Sequence, residues 1–339
     1  MARTIVGGQV QQTVPSSPLG GNNAEGPSQY GTSTEGKRPS RATHGTRGAH
    51  IGRRRSRRAF LAAAPAILLL VVFLALPVID GVRLSFSSWG GTGPMAWVGL
   101  ANYRALSSNG FGSALVLTVK YSLLCTVGVM VLASLMAAAI SSGVRGARVY
   151  RVIWFLPGIA PIAAVSVFWS LAFQPTSGIM DAILGHIGLG STHAWLASAN
   201  YAIYPTVFVT VWASVGFAFL VLLGAMEQIP VSLTEAARID GASWLRVFRS
   251  VTLPLIRPVM GVIALLEVIW TFNGFTTIWG MTQGGPGYAT STVPVLVYQE
   301  AFRETNFGLA SSMAVIGGAI LVVLGAIMLR VSRSRQAVV

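Results

Sequence analysis

The run Ser232-Leu233-Thr234-Glu235-Ala236-Ala237-Arg238-Ile239-Asp240-Gly241-Ala242-Ser243-Trp244-Leu245-Arg246-Val247-Phe248 lies between two apolar stretches, 201–225 and 258–279. Its contrast with them decides how the chain is read. The first stretch has no charged residue and the second only Glu267, whereas 226–257 holds Glu227, Glu235, Arg238, Asp240, Arg246, Arg249 and Arg257. The polar segment nevertheless has helical grammar of its own. Ser232 with Glu235 three residues on predicts a capping box, with Pro230 just upstream. Gly241 supplies the positive φ that ends a helix. A second helix restarts at Ser243, puts Trp244, Val247 and Phe248 on one face, and stops at Pro254. Two short amphipathic helices are expected to meet at a glycine corner.

Working outward, the chain has 339 residues, 53% hydrophobic and only 10% charged, with mean hydropathy +0.64. An ordinary soluble domain carries about 25% charged residues, so a water-soluble globule is excluded. A bilayer core of ~30 Å needs about 20 helical residues. Six stretches qualify, near 59–79, 113–140, 149–173, 201–225, 258–279 and 309–330. Pro157 and Pro161 are expected to kink the third. The fold class is therefore an all-α membrane protein with six transmembrane helices, over a domain of 59–339.

The net charge of +14 comes from 24 Lys and Arg against 10 Asp and Glu. Residues 1–58 hold ten of the cations and two acids, Glu25 and Glu35. They are rich in Gly, Ser, Thr and Pro, and are read as a disordered basic cytoplasmic tail. The other cations cluster between alternate spans: Arg145, Arg148 and Arg151; Arg238, Arg246, Arg249 and Arg257; Arg330, Arg333 and Arg335. By the positive-inside rule these connections, and both termini, face the cytoplasm. Charge so placed reads as topology in a lipid bilayer and not as nucleic-acid binding. Cys125 is the single cysteine, so no intramolecular disulfide forms.

The run from Glu235 to Ala242, followed by Phe248, Leu253-Pro254 and Pro258, resembles the EAA loop of permease subunits in bacterial binding-protein-dependent ABC importers. Trp97-Val98-Gly99-Leu100-Ala101-Asn102-Tyr103, Phe155-Leu156-Pro157, and Thr282-Gln283-Gly284-Gly285-Pro286 with Phe302 and Gly308 resemble further elements of that family, in its carbohydrate-uptake (maltose and glycerol-phosphate) branch. The resemblance covers 59–330. One departure is Leu117-Thr118, where the family often has Asn-Thr. The resemblance implies that 226–257 is a cytoplasmic coupling loop between the fourth and fifth spans, with Glu235, Ala236, Ala237, Asp240 and Gly241 meeting an ATPase. It also implies two ABC ATPase subunits, a second permease that is a distinct homologue, an extracytoplasmic solute-binding protein, and a bacterial cytoplasmic membrane.

The chain has no catalytic candidate. Lys37 precedes Arg38 and Lys120 precedes Tyr121, so no Walker A loop can form. ATP and Mg are then expected on the partner ATPase, with no cofactor or metal in this chain, which is not an enzyme. Glu267, the only acid well inside an expected span, shares a helical stripe with Trp270, Thr271 and Gly274, while Asn273, Thr276 and Thr277 form a second polar strip. Glu267, Trp270, Asn273, Thr276 and Thr277 are candidates for a sugar path, against the plainer role of packing between helices. The leading function is half of the translocation pathway of an ATP-driven importer for a sugar or sugar-like solute, working by alternating access. The alternatives are an importer for a non-sugar solute, or an ion-coupled carrier or channel centred on Glu267.

Overall fold

The computed structural model describes residues 63–188 and 193–336, with side chains described to residue 330. The tail expected at 1–58, and the first residues of the span expected at 59–79, lie outside the described residues. The compact unit discussed below is Ala63–Val339.

Five described helices are long and apolar enough to cross a membrane: α1 (Ala63–Ser85), α3 (Phe111–Ser141), α7 (Ile203–Glu227), α9 (Trp244–Phe272) and α12 (Phe307–Gln336). A bent pair, α4 (Ala147–Ile159) and α5 (Ile162–Ala172), supplies a sixth crossing if counted as one. Short elements fill the connections. These are β1 (Ser87–Ser88) paired antiparallel with β2 (Ala96–Trp97), α2 (Ala101–Ala105), α6 (Ile179–His186), α8 (Val231–Ile239), α10 (Thr276–Thr282), and α11 (Val293–Tyr298), which runs on into a π turn at Gln299–Arg303.

The core forms where α3 meets α7 and α9. Tyr121, Cys125, Val129, Ala133 and Ala137 recur every fourth residue and make one ridge along α3. It packs on Val215, Ala218, Phe219 and Leu222 of α7 and on Ile256 and Ile263 of α9. In lipid the hydrophobic effect does not drive helices together, so close packing of small residues must. Gly216 shows the requirement: a Cβ there would sit 2.3 Å from the Trp154 carbonyl, so only glycine lets α7 lie against α4.

The structure corrects several boundaries. The first helix runs to Ser85 and not to 79, taking in Asp80 and Arg83, because nothing at Asp80 ends it and both charges fall in its last two turns. The 92° bend in the third crossing falls at Ala160-Pro161, while Pro157 is accommodated inside α4. Ala160 takes the extended conformation that a following proline imposes. The fifth span, expected at 258–279, ends at Phe272. Asn273, Gly274 and Phe275 break it, and Thr276 and Thr277 belong to the separate helix α10.

Candidate functional site

The segment 226–257 folds as an ordered corner. Helix α8 starts at Val231 with Pro230 as its N-cap. Ser232 is therefore the second residue inside the helix and the expected capping box does not form, because the fixed φ of Pro230 starts the helix earlier. The C-terminal end is as expected. Gly241 has φ +77°, its N–H donates to the Arg238 carbonyl, and the Ala242 N–H donates to the Ala237 carbonyl, which together make a Schellman turn. Ser243 then begins the next helix in extended conformation.

That second helix does not stop at Pro254. It continues through a π turn at Phe248–Thr252 into the fifth span, so that Trp244–Phe272 is one helix. A π turn widens the backbone, and here the Leu253 N–H reaches back to the Phe248 carbonyl, which makes room for the Pro254 ring within the continuing helix. The corner rests on the ends of α3 and α7, over a cleft of about 180 Å³ bordered by Ser141, Glu227, Arg238, Trp244 and Phe248. Arg151 pairs with Glu227 beside it. Leu233, Glu235, Ala236, Ile239 and Asp240 point away from the bundle, and Ile239 is 86% exposed. Ala237 is half-buried.

The five candidates for a solute path, expected on two polar strips of one helix, are divided by the break after Phe272. Glu267 is wholly buried and neither of its carboxylate oxygens has a partner among the described residues. Its neighbour Thr271 is buried and shares a 2.7 Å hydrogen bond with Ser122 of α3. Trp270, three residues from Glu267, is 49% exposed and meets Phe217 edge-on. Asn273 is exposed and donates to the Ile269 carbonyl at 2.9 Å. Thr276 is half-buried and Thr277 buried, both beyond the helix break. Glu267 thus faces the inside of the subunit, while Trp270 and Asn273 face outward from it.

The opposite end of the bundle carries a hydrogen-bond framework only partly outlined by the motifs. Asn102 donates to the carbonyls of Ser85 and Ser87, each at 2.9 Å, and the Tyr103 hydroxyl meets Ser85 Oγ at 2.7 Å. Gly308 packs on the Ser87 carbonyl, where a Cβ would come within 2.0 Å. The motif 97–103 therefore ties the end of α1 to the start of α12. Thr118, beside the departure at Leu117, accepts the Val293 N–H at 2.8 Å and so caps α11. The Thr282–Pro286 run forms a tight turn, with Gln283 and Gly284 at positive φ and a cis peptide at Gly285-Pro286. Thr290 bonds both Thr282 and the Gly285 carbonyl across it.

Asp181 went unnoticed in the sequence because it stands alone. Buried at the base of the 174–200 connection, it accepts N–H groups from Thr176 at 3.3 Å, His193 at 3.0 Å and the Trp195 indole at 2.8 Å. The His193 backbone N–H is the main cause holding this carboxyl below its usual range. Its signal would have been an acid followed by a Trp in a loop otherwise without charge. Among the described residues no group of His, Cys, Asp and Glu is placed to hold a metal.

Residues 129–336 match the family described as the binding-protein-dependent transport system inner membrane component. A Brucella abortus chain named as a probable ABC transporter permease is 33% identical over 80% of this chain and 96% of its own length. The sn-glycerol-3-phosphate transport system permease UgpA of Salmonella typhimurium is 30% identical over 81% and 94%. The multiple sugar-binding transport system permease MsmF of Streptococcus mutans is 29% identical over 79% and 92%. Among solved structures, a chain of a bacterial ABC transporter that imports the acidic polysaccharide alginate superposes with TM-score 0.73 at 22% identity, over 84% of this chain and 99% of that one, and shares its fold. The match over residues 129–336 and the extent of the UgpA and Brucella relatives place the chain in this family: it is a membrane-embedded permease component of a binding-protein-dependent ABC importer.

Proposed function

We propose that this chain forms half of the translocation pathway for a sugar or sugar-like solute, paired with a second permease, driven by two ATPase subunits and loaded by an extracytoplasmic solute-binding protein. The domain is 59–339, in a bacterial cytoplasmic membrane, with both termini and the 226–257 corner on the cytoplasmic side. The names of relatives such as MsmF and UgpA support the solute class. The clustering of arginine-bearing connections at the end that holds Arg151, Arg238 and Trp244 supports the orientation.

One observation carries the coupling role: the corner is continuous with the fifth span. A partner that grips the outward face of α8 moves Gly241 and Ser243, and Trp244–Phe272 passes that displacement into the membrane as one helix. In this reading Glu235 and Asp240 supply charge-assisted bonds to the ATPase, while Ala236, Ala237 and Gly241 permit its close approach. ATP binding closes the ATPase dimer and rocks the two bundles open to the outside; hydrolysis returns them. The nucleotide and its Mg belong to the partner, and the chain performs no catalysis.

The test is purification of the tagged full-length chain in mild detergent, with mass spectrometry of what accompanies it. A Walker-A ATPase, a second multi-span permease and an exported binding protein are expected. Recovery of the chain alone, under conditions that keep a known importer intact, would overturn the reading.

A further inference from the structure

At the end of the bundle away from the corner, a cavity of about 920 Å³ opens between the start of α3, the turn after Pro286 and the π turn that follows α11. Its floor is apolar, with Ala114 and Leu296. Its walls are polar. Asn109, Ser113, Tyr288, Glu300 and Glu304 all border it, and none of these side chains is engaged elsewhere among the described residues. Gly110 and Gly287, both at positive φ, keep the rim thin where the chain turns.

The chemistry of this lining is specific in kind. Carboxylates accept hydrogen bonds from hydroxyl groups, an amide and a serine both donate and accept, and an aromatic face packs on an apolar C–H surface. Tyr288 is 67% exposed, so its ring is available at the mouth. An apolar floor with a few convergent polar groups, at this volume, is the usual make-up of a small-molecule site.

The charge is equally specific. Among the described residues no Lys or Arg borders the cavity. Arg303, between the two glutamates in sequence, is held away by Gln283 at 3.0 Å and lies over the Trp279 ring. Lys120 sits deeper on the Ser113 and Leu117 face of α3, over the Tyr204 ring at 5.3 Å. Burial, and secondly the neighbouring Glu304, push the Glu300 carboxyl above its usual range, as two acids facing one cavity require.

We propose that this cavity is an entry subsite for an uncharged polyhydroxylated solute, and that Glu300 and Glu304 turn anionic solutes away. The proposal rests on the sugar-import reading and deepens it: neutral sugars and polyols are accepted, phosphorylated ones refused. UgpA, by its name, handles a phosphate ester, so this feature would separate the two chains.

The experiment is saturation-transfer NMR on the full-length chain in lipid nanodiscs, with maltose and glycerol as neutral probes and sn-glycerol 3-phosphate as the anionic one. Saturation transfer to the neutral probes is expected, falling at least fivefold in Tyr288→Ala. The glycerol phosphate signal is expected to be absent, and to appear in the doubly isosteric Glu300→Gln, Glu304→Gln chain. No transfer to any neutral probe, or transfer unmoved by Tyr288→Ala, overturns the subsite. Equal transfer from glycerol phosphate in the unaltered chain overturns the charge selection. Copurification of partners is read in parallel: a chain that brings its ATPase but shows silent probes refutes the subsite alone, whereas a chain without partners refutes the import reading.

Discussion

The two ends of the bundle are finished in opposite ways. At the end that bears 97–103 and Thr282–Pro286, side chains reach across connections and close on one another. Asn102 bonds Ser85 and Ser87, Thr118 caps α11, Thr290 spans its turn, and Asp181 gathers three N–H groups. At the other end the corner has a sound backbone turn but few side-chain bonds, and it leaves Leu233, Ile239, Trp244 and Leu245 exposed. Apolar residues on a helix outside the lipid are costly unless something covers them. One end is tied together by side-chain hydrogen bonds, and the other by a backbone turn whose exposed apolar face is where the proposed ATPase would seat.

The strongest way to break this comparison is at the corner. Ala237→Glu places a charge on the half-buried side of α8, and Gly241→Val forces a β-branched residue to φ +77°, a strain on the order of 1–3 kcal/mol. Each is expected to reduce solute uptake at least tenfold and to lose the copurified ATPase, while membrane insertion and yield stay normal. Uptake assays on cells with matched membrane levels check it. Normal uptake in both would mean that the corner is a surface hairpin without a coupling role.

The next two tests probe the closed end, where stability and not partner binding should respond. Asn102→Ala removes two hydrogen bonds and leaves the carbonyls of Ser85 and Ser87 without that donor, a cost of about 1–3 kcal/mol. The expected outcome is a lower thermal midpoint in detergent with ATPase association retained. Asp181 gives a pH signature. Its carboxyl titrates lower in the folded chain than its unfolded value near 3.9, so it stabilises fully above that pH and the contribution is lost as pH falls through the folded value. Asp181→Asn is expected to lower the thermal midpoint at neutral pH and to flatten the acid decline below about pH 4. A parallel decline in both chains would show that other groups control acid stability.

The sequence made this division partly legible. Span count follows from apolar length and survives local error, because a bilayer fixes how many residues must cross. The glycine corner was readable since a positive φ after a helix is a local demand that Gly241 answers. What was missed depends on distance along the chain. Thr118 meets Val293, and Asn102 meets the end of α1, through contacts that no periodicity encodes. The continuity through Pro254 is not legible in the sequence, because a proline ordinarily ends a helix and only the fold supplies the π turn that accommodates it. The stripe of Glu267, Trp270, Thr271 and Gly274 and the strip of Asn273, Thr276 and Thr277 assume one uninterrupted helix, and the break after Phe272 cuts Gly274 from the first and the whole of the second from the helix.

Glu267 offers the finest test. A buried acid in a span is the usual mark of a transport centre, and a charge at mid-membrane costs on the order of 2.5–3.5 kcal/mol on insertion scales. Here its oxygens find no partner among the described residues, and the side chain faces the interior of the subunit with Thr271 and Ser122 nearby. A group that makes no bond loses none on replacement by its neutral isostere. Glu267→Gln is therefore expected to leave uptake within about twofold and the thermal midpoint unchanged or slightly raised, checked by initial-rate uptake and a melt in detergent. Glu267→Ala should cost more, since it leaves a hole in a packed helix contact. If instead the glutamine chain lost uptake while keeping its melting point and its ATPase, the carboxylate itself would be part of the transport cycle. The middle of the membrane would then be the place where function departs from packing.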